Sequence, residues 1–155
     1  MTALGTKAIG VIADCTAEEQ LVELRSTVNE HLGAVDILVS FAGGNGMPVA
    51  TANDTGEHWR DVIETDLTST FLTVSEFLPE MLACHSGVIV TMASAAARQA
   101  AKSSAAYAAA KAGRRRIQSS PRWGVCLRGD SHHLHRPLGD RDRQDARLDD
   151  GRAAA

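Results

Sequence analysis

The hydrophobic pattern changes period several times along the chain. Ala8-Ile-Gly-Val-Ile-Ala13 is a short apolar run closed by Asp14, which predicts a buried strand over 8–13. Thr16-Ala-Glu-Glu19 then has the hydroxyl and carboxylate spacing of a capping box. Leu21, Leu24, Val28 and Leu32 follow at helical spacing, and Gly33 ends the helix. Val35 to Val39 reads as the next strand, and it runs into the loop Ala42-Gly-Gly-Asn-Gly46. Trp59, Val62, Ile63, Leu67, Phe71, Val74, Leu78 and Met81 mark one face of a long helix over 57–85. Gly87 to Met92 is a third strand, and the alanine-rich segment from Ser103 to about Gly113 is helix-prone. Apolar strands alternating with amphipathic helices predict an α/β fold with a parallel sheet.

The pattern stops near Gly113. Residues 1–113 hold six basic against thirteen acidic side chains; residues 114–155 hold ten arginines, no lysine and six aspartates. A tail so poor in apolar residues offers little surface to offset its ordering entropy, which predicts a folded unit over 1–113 and a largely disordered Arg-rich tail over 114–155. A GC-rich reading frame shifted by one nucleotide near Arg114 would also produce such a composition. Back-translation gives shifted codons that can spell an apolar helix and a strand, so a frameshift is expected.

The rest of the composition narrows the function classes. With 155 residues, 44% hydrophobic, 23% charged and a net charge of −3, the chain suits one globular domain with no overall pull toward nucleic acid or an anionic surface. The interspersed aspartates and the lack of aromatic interleaving argue against a nucleic-acid module in the tail. No apolar run reaches the roughly 20 residues of a membrane span, and no basic-then-apolar leader opens the sequence. Three separated cysteines form no metal or disulfide pattern, so a reducing, cytoplasmic setting is expected. Cys84 reads as a small buried or half-buried residue. His132, His133 and His135 lack partners at ligand spacing, so no metal site is expected.

The chemistry concentrates in one stretch. Tyr107 and Lys111 are four apart in a helix-prone segment, which stacks them on one face. A free phenol titrates near pH about 10, and an adjacent ammonium favours its ionised form. Such a phenol can exchange a proton with an alcohol oxygen. Ser94 lies just past the third strand, where ligands of parallel sheets bind, and its hydroxyl could hold the same oxygen. On its own the Tyr-x-x-x-Lys spacing is also met in an exposed Tyr beside a solvated Lys.

Over about residues 5–113 the ordered motifs resemble the short-chain dehydrogenase/reductase family, in the style of its 3-oxoacyl-carrier-protein reductase-like members. Asp36-Ile-Leu-Val-Ser-Phe-Ala-Gly43 is similar to D-I-L-V-N-N-A-G. Asp66-Leu-Thr-Ser-Thr-Phe71 is similar to N-L-x-G-x-F, and Gly87 to Ser94 to G-x-I-V-x-x-S-S. Ala106-Tyr107-Ala-Ala-Ala-Lys111-Ala matches A-Y-x-x-x-K-A, thirteen residues after Ser94. The resemblance implies a Rossmann-like, doubly wound fold that retains family strands 3, 4 and 5. It implies NAD or NADP as coenzyme and a small alcohol or ketone as substrate. Tyr107 would be the acid/base, Lys111 would hold the nicotinamide ribose and favour the phenolate, and Ser94 would orient the substrate oxygen. Asp14 would face the adenine, and Ala42 and Gly43 would lie along the coenzyme. The long helix 57–85 would support a homo-oligomer.

The sequence departs from the family in three places. The catalytic Asn position is Asp66, a pure acceptor when ionised, able to pair with Lys111. Ser40 and Phe41 replace the paired asparagines. The opening strand and the T-G-x-x-x-G-x-G phosphate loop are not matched, so the resemblance implies an N-terminally truncated chain of marginal stability, with family strand 3 deprived of its neighbours. A catalytically silent remnant, at most associating with related subunits, is the alternative to an active oxidoreductase.

Overall fold

A computed structural model describes residues 5–44, 48–99, 102–118 and 126–128. Four helices and three strands follow in the order α1 (Glu18–Leu32), β1 (Ile37–Ser40), α2 (Gly56–Ile63), α3 (Ser69–Ala83), β2 (Val88–Thr91), α4 (Ala105–Gln118) and β3 (Cys126–Arg128). The strands form one parallel sheet in the order β1-β2-β3. Ile37 pairs with Val88 and Ser40 with Thr91, so β1 and β2 end level with each other. The fold is α/β, as the alternation of periods implies.

Side chains of successive strand residues point to opposite faces, and only one face is covered. Leu38 packs with Ile89, Val74, Met81, Val35 and Leu78 in the core under α3. Ile37 and Val39, on the other face, are exposed. α1 packs on α3, while α4 packs on α2.

Five expectations are corrected. Residues 8–13 form no strand, and Val11 and Ile12 are exposed. A strand needs a neighbour for its N–H and C=O groups, and none of the described strands lies beside this segment. The capping box does not form. The helix starts at Glu18 with Ala17 at its N-cap and no side-chain cap, because Asp14 Oδ1 takes both the Thr16 amide (2.8 Å) and the Thr16 hydroxyl (2.7 Å). Gly33 does end α1, at φ 88° with its amide on Asn29.

The long helix is interrupted rather than continuous. Thr55 caps α2 by accepting from the His58 amide at 3.1 Å. A π turn over Glu64–Thr68 then joins α2 to α3. The wider turn inserts a residue and rotates the buried face. Trp59 and Phe71 are therefore exposed, while Asp66, Ser69, Thr70 and Thr73 are buried. Thr73 and Ser69 satisfy their hydroxyls on the carbonyls four residues earlier.

The composition break at Gly113 is not a structural break. α4 runs on to Gln118, and Cys126–Arg128 adds a strand beside β2. The remainder of the Arg-rich tail, including His132, His133 and His135, lies outside the described residues. Cys84 is exposed, not half-buried, because it caps the end of α3 at the surface.

Candidate active site

Ser104 sets where α4 begins. Buried just ahead of the helix, its Oγ accepts the Tyr107 amide at 3.2 Å, as an N-cap side chain does. That fixes Tyr107 in the first turn and Lys111 one turn later. The Lys111 Nζ stands 5.1 Å from the centroid of the Tyr107 ring, within cation–π range. Gly113 lets α4 close on the π turn: a Cβ there would come within 2.9 Å of Leu67.

Lys111 is buried, and so is Asp66, the residue at the family's Asn position. Lys111 Nζ and Asp66 Oδ1 are 2.7 Å apart. The other carboxylate oxygen accepts the Gly44 amide at 3.1 Å. Asp66 thus ties α4 to the loop after β1. That loop approaches so closely that only glycine fits at position 43. It has φ 113°, and an added Cβ would lie 2.7 Å from Asp66 Oδ1.

Ser94 follows β2 and caps a 3₁₀ turn over Ala95–Ala97, accepting the Ala96 amide at 3.3 Å. Its hydroxyl keeps a proton to donate. α4 packs directly against this turn, so the fold brings the elements that carry Ser94, Tyr107, Lys111 and Asp66 together at the carboxyl end of the sheet. Asp14 stands apart, exposed ahead of α1, its carboxyl held below the usual range by the Thr16 amide and then the Thr16 hydroxyl. Ala42 turns its carbonyl toward α4.

One residue of this cluster is not foreseen. Arg114, the first residue of the tail, is fully buried. Its Nε donates to Thr70 Oγ1 (2.5 Å), its Nη1 to the Met92 carbonyl (3.1 Å) and its Nη2 to the Ala42 carbonyl (2.7 Å). Burial pushes its pKa below that of an ordinary guanidinium, and the nearby Asp66 carboxylate pulls it back up. The available signal was its spacing: Tyr107, Lys111 and Arg114 recur at i, i+4 and i+7 on one helix face.

The short chain dehydrogenase family matches this sequence over residues 1–121. The chain belongs to the short-chain dehydrogenase family. It is 36% identical over 101 residues to an uncharacterized oxidoreductase of Staphylococcus saprophyticus, covering 65% of this chain and 43% of that one. It is 37% identical over 111 residues to a putative ketoacyl reductase of Streptomyces coelicolor, covering 70% and 42%. A crystal structure of actinorhodin polyketide ketoreductase with NADPH superposes with a TM-score of 0.75 at 32% identity, covering 82% of this chain and 51% of that one. This chain therefore spans less than half the length of those curated relatives. Among its described residues no helix is long and apolar enough to cross a membrane, and no group of His, Cys, Asp or Glu could hold a metal ion.

Proposed function

We propose that this chain carries the proton-transfer centre of an NAD(P)-dependent oxidoreductase that interconverts a secondary alcohol and a ketone. The observation that carries the reading is the stacked pair: the Lys111 ammonium over the Tyr107 ring, on a helix packed against the turn that Ser94 caps. Similarity to a putative ketoacyl reductase and to a ketoreductase with NADPH supports the same chemistry.

The donor set fits the nicotinamide end of such a coenzyme. An ammonium has three N–H donors; Lys111 pairs its charge with Asp66, and its donors suit ribose hydroxyls. Gly43 and Gly44 give the neighbouring loop no side chain to obstruct a flat ligand. Asp14 presents an exposed carboxylate, an acceptor suited to an adenine amino group. A nicotinamide held by these residues would supply the hydride chemistry at the carbinol carbon.

The chain's residues handle the proton. In reduction, the Tyr107 hydroxyl gives its proton to the carbonyl oxygen as the carbon gains the hydride; oxidation runs in reverse. Ser94 donates to the same oxygen and holds it in line. Lys111 sets a positive charge against the ring on which negative charge gathers. Asp66 orients Lys111 through their ion pair. Ketoacyl groups are the substrate class to try first, and the exposed Trp59 and Phe71 on the α2–α3 face offer a surface for self-association.

Titration with NADPH and NADH, followed by coenzyme fluorescence, tests this. Saturable binding is expected, with Tyr107→Phe binding normally and reducing ketones at least about 100-fold more slowly. A chain that binds neither coenzyme, or a phenylalanine variant as fast as the parent, would overturn the reading in favour of a silent remnant.

A further inference from the structure

We propose that Arg114 is a positioning residue, its guanidinium clamping together the exits of β1 and β2 so that the Gly43–Gly44 loop and Ser94 keep a fixed separation. The inference rests on the functional reading above for what that separation serves. The clamp itself stands on geometry. β1 and β2 are neighbours that end in register. The Ala42 carbonyl lies just past one and the Met92 carbonyl just past the other, and both accept from Arg114. One loop continues into Gly43 and Gly44 against Asp66, the other into Ser94. The third contact, to Thr70, pins the guanidinium to α3, the helix beneath both strands.

Three different nitrogens serve three acceptors on three elements, which only a planar fork can do. A lysine ammonium is a compact point donor and cannot reach acceptors so dispersed. Burying a cation is costly unless its hydrogen bonds are made, so an apolar side chain would have filled the space more simply. The charge has a counterpart as well. Asp66 is the buried carboxylate of the cluster, and Lys111 and Arg114 are its two buried cations. Arg114 therefore links the coenzyme-side loop and the Ser94 loop from the helix face that also carries Lys111.

The test uses the full chain with Arg114→Ala, Arg114→Lys and Thr70→Val. Amide spectra should show Gly43 and Ala93 displaced in Arg114→Ala, because their N–H groups share peptide units with the clamped carbonyls. NADPH binding should weaken at least about tenfold, the scale of one lost charged hydrogen bond. Millimolar methylguanidinium should restore both signals, and methylammonium neither. Arg114→Lys should behave like the alanine variant. Thr70→Val, a milder change that removes one contact, should move the same amides less and covers the case in which Arg114→Ala does not fold. Unmoved amides at Gly43 and Ala93, or rescue by methylammonium as complete as by methylguanidinium, would overturn the clamp. If the parent chain takes no NADPH, the oxidoreductase reading fails, while the amide displacements and their rescue still decide the clamp.

Discussion

At the scale of single residues the site is held by charges taken out of water. The Asp66–Lys111 pair is buried on both sides, and such a pair contributes little net stability while either half alone is costly. Lys111→Met should destabilise the chain by about 3–5 kcal/mol, because it strands the Asp66 carboxylate. Replacing both together, Lys111→Met with Asp66→Leu, should recover most of that loss. Urea unfolding of the parent, the two single variants and the double variant checks it; equal losses in the single and the double would mean that the pair is not coupled. The shared helix face of Tyr107 and Lys111 and the place of Ser94 just past a strand were legible from spacing; Asp66 was indicated by the family resemblance alone, and the roles of all four are proposals. Arg114 was not legible, because it opens a run whose composition reads as tail. A buried arginine is recognised by the carbonyls that receive it, and those lie 22 and 72 residues away.

At the scale of elements, the helices were legible and their interruptions were not. The stripe from Trp59 to Met81 has helical spacing throughout, yet a single π turn shifts its phase and turns Trp59 and Phe71 outward. A continuous 3.6-residue count cannot register an inserted residue. The apolar run 8–13 reads as a strand by composition, but pairing belongs to two segments and only one of them is visible in a local pattern. The entry to α1 shows a local competition: Asp14 captures Thr16 before the capping box can form. Its carboxyl titrates below the ordinary value because the Thr16 amide and hydroxyl favour the ionised form. A depressed folded pKa contributes stability that is complete above the ordinary value of about 3.9 and is lost as pH falls through the lowered one. The Thr16 amide resonance should therefore follow a titration with its midpoint below about 3.9. Asp14→Asn should abolish that titration; a Thr16 amide that titrates unchanged in this variant would contradict the arrangement.

For the whole molecule, the deciding feature is a sheet covered on one side. Parallel sheets in α/β folds are packed on both faces. Here Ile37, Val39 and Phe41 alternate onto a single face and are exposed, with Met92 exposed just past the neighbouring strand. Among the described residues no strand pairs with the outer edge of β1. A contiguous apolar surface with a free edge promotes association. The helical run offers a second, separate apolar surface at Trp59 and Phe71 on the α2–α3 side. Sedimentation over a range of concentrations distinguishes the two. Val39→Lys puts a charge on the bare sheet face and should lower self-association while changing stability by no more than about 1 kcal/mol, since the position is already half in water. Phe71→Ser should leave association through the sheet face unchanged, and would lower it only if the helices form the contact. A parent chain that stays monomeric at every concentration and melts cooperatively above about 50 °C, within the range of ordinary stable domains, would mean that this face is stable without a cover.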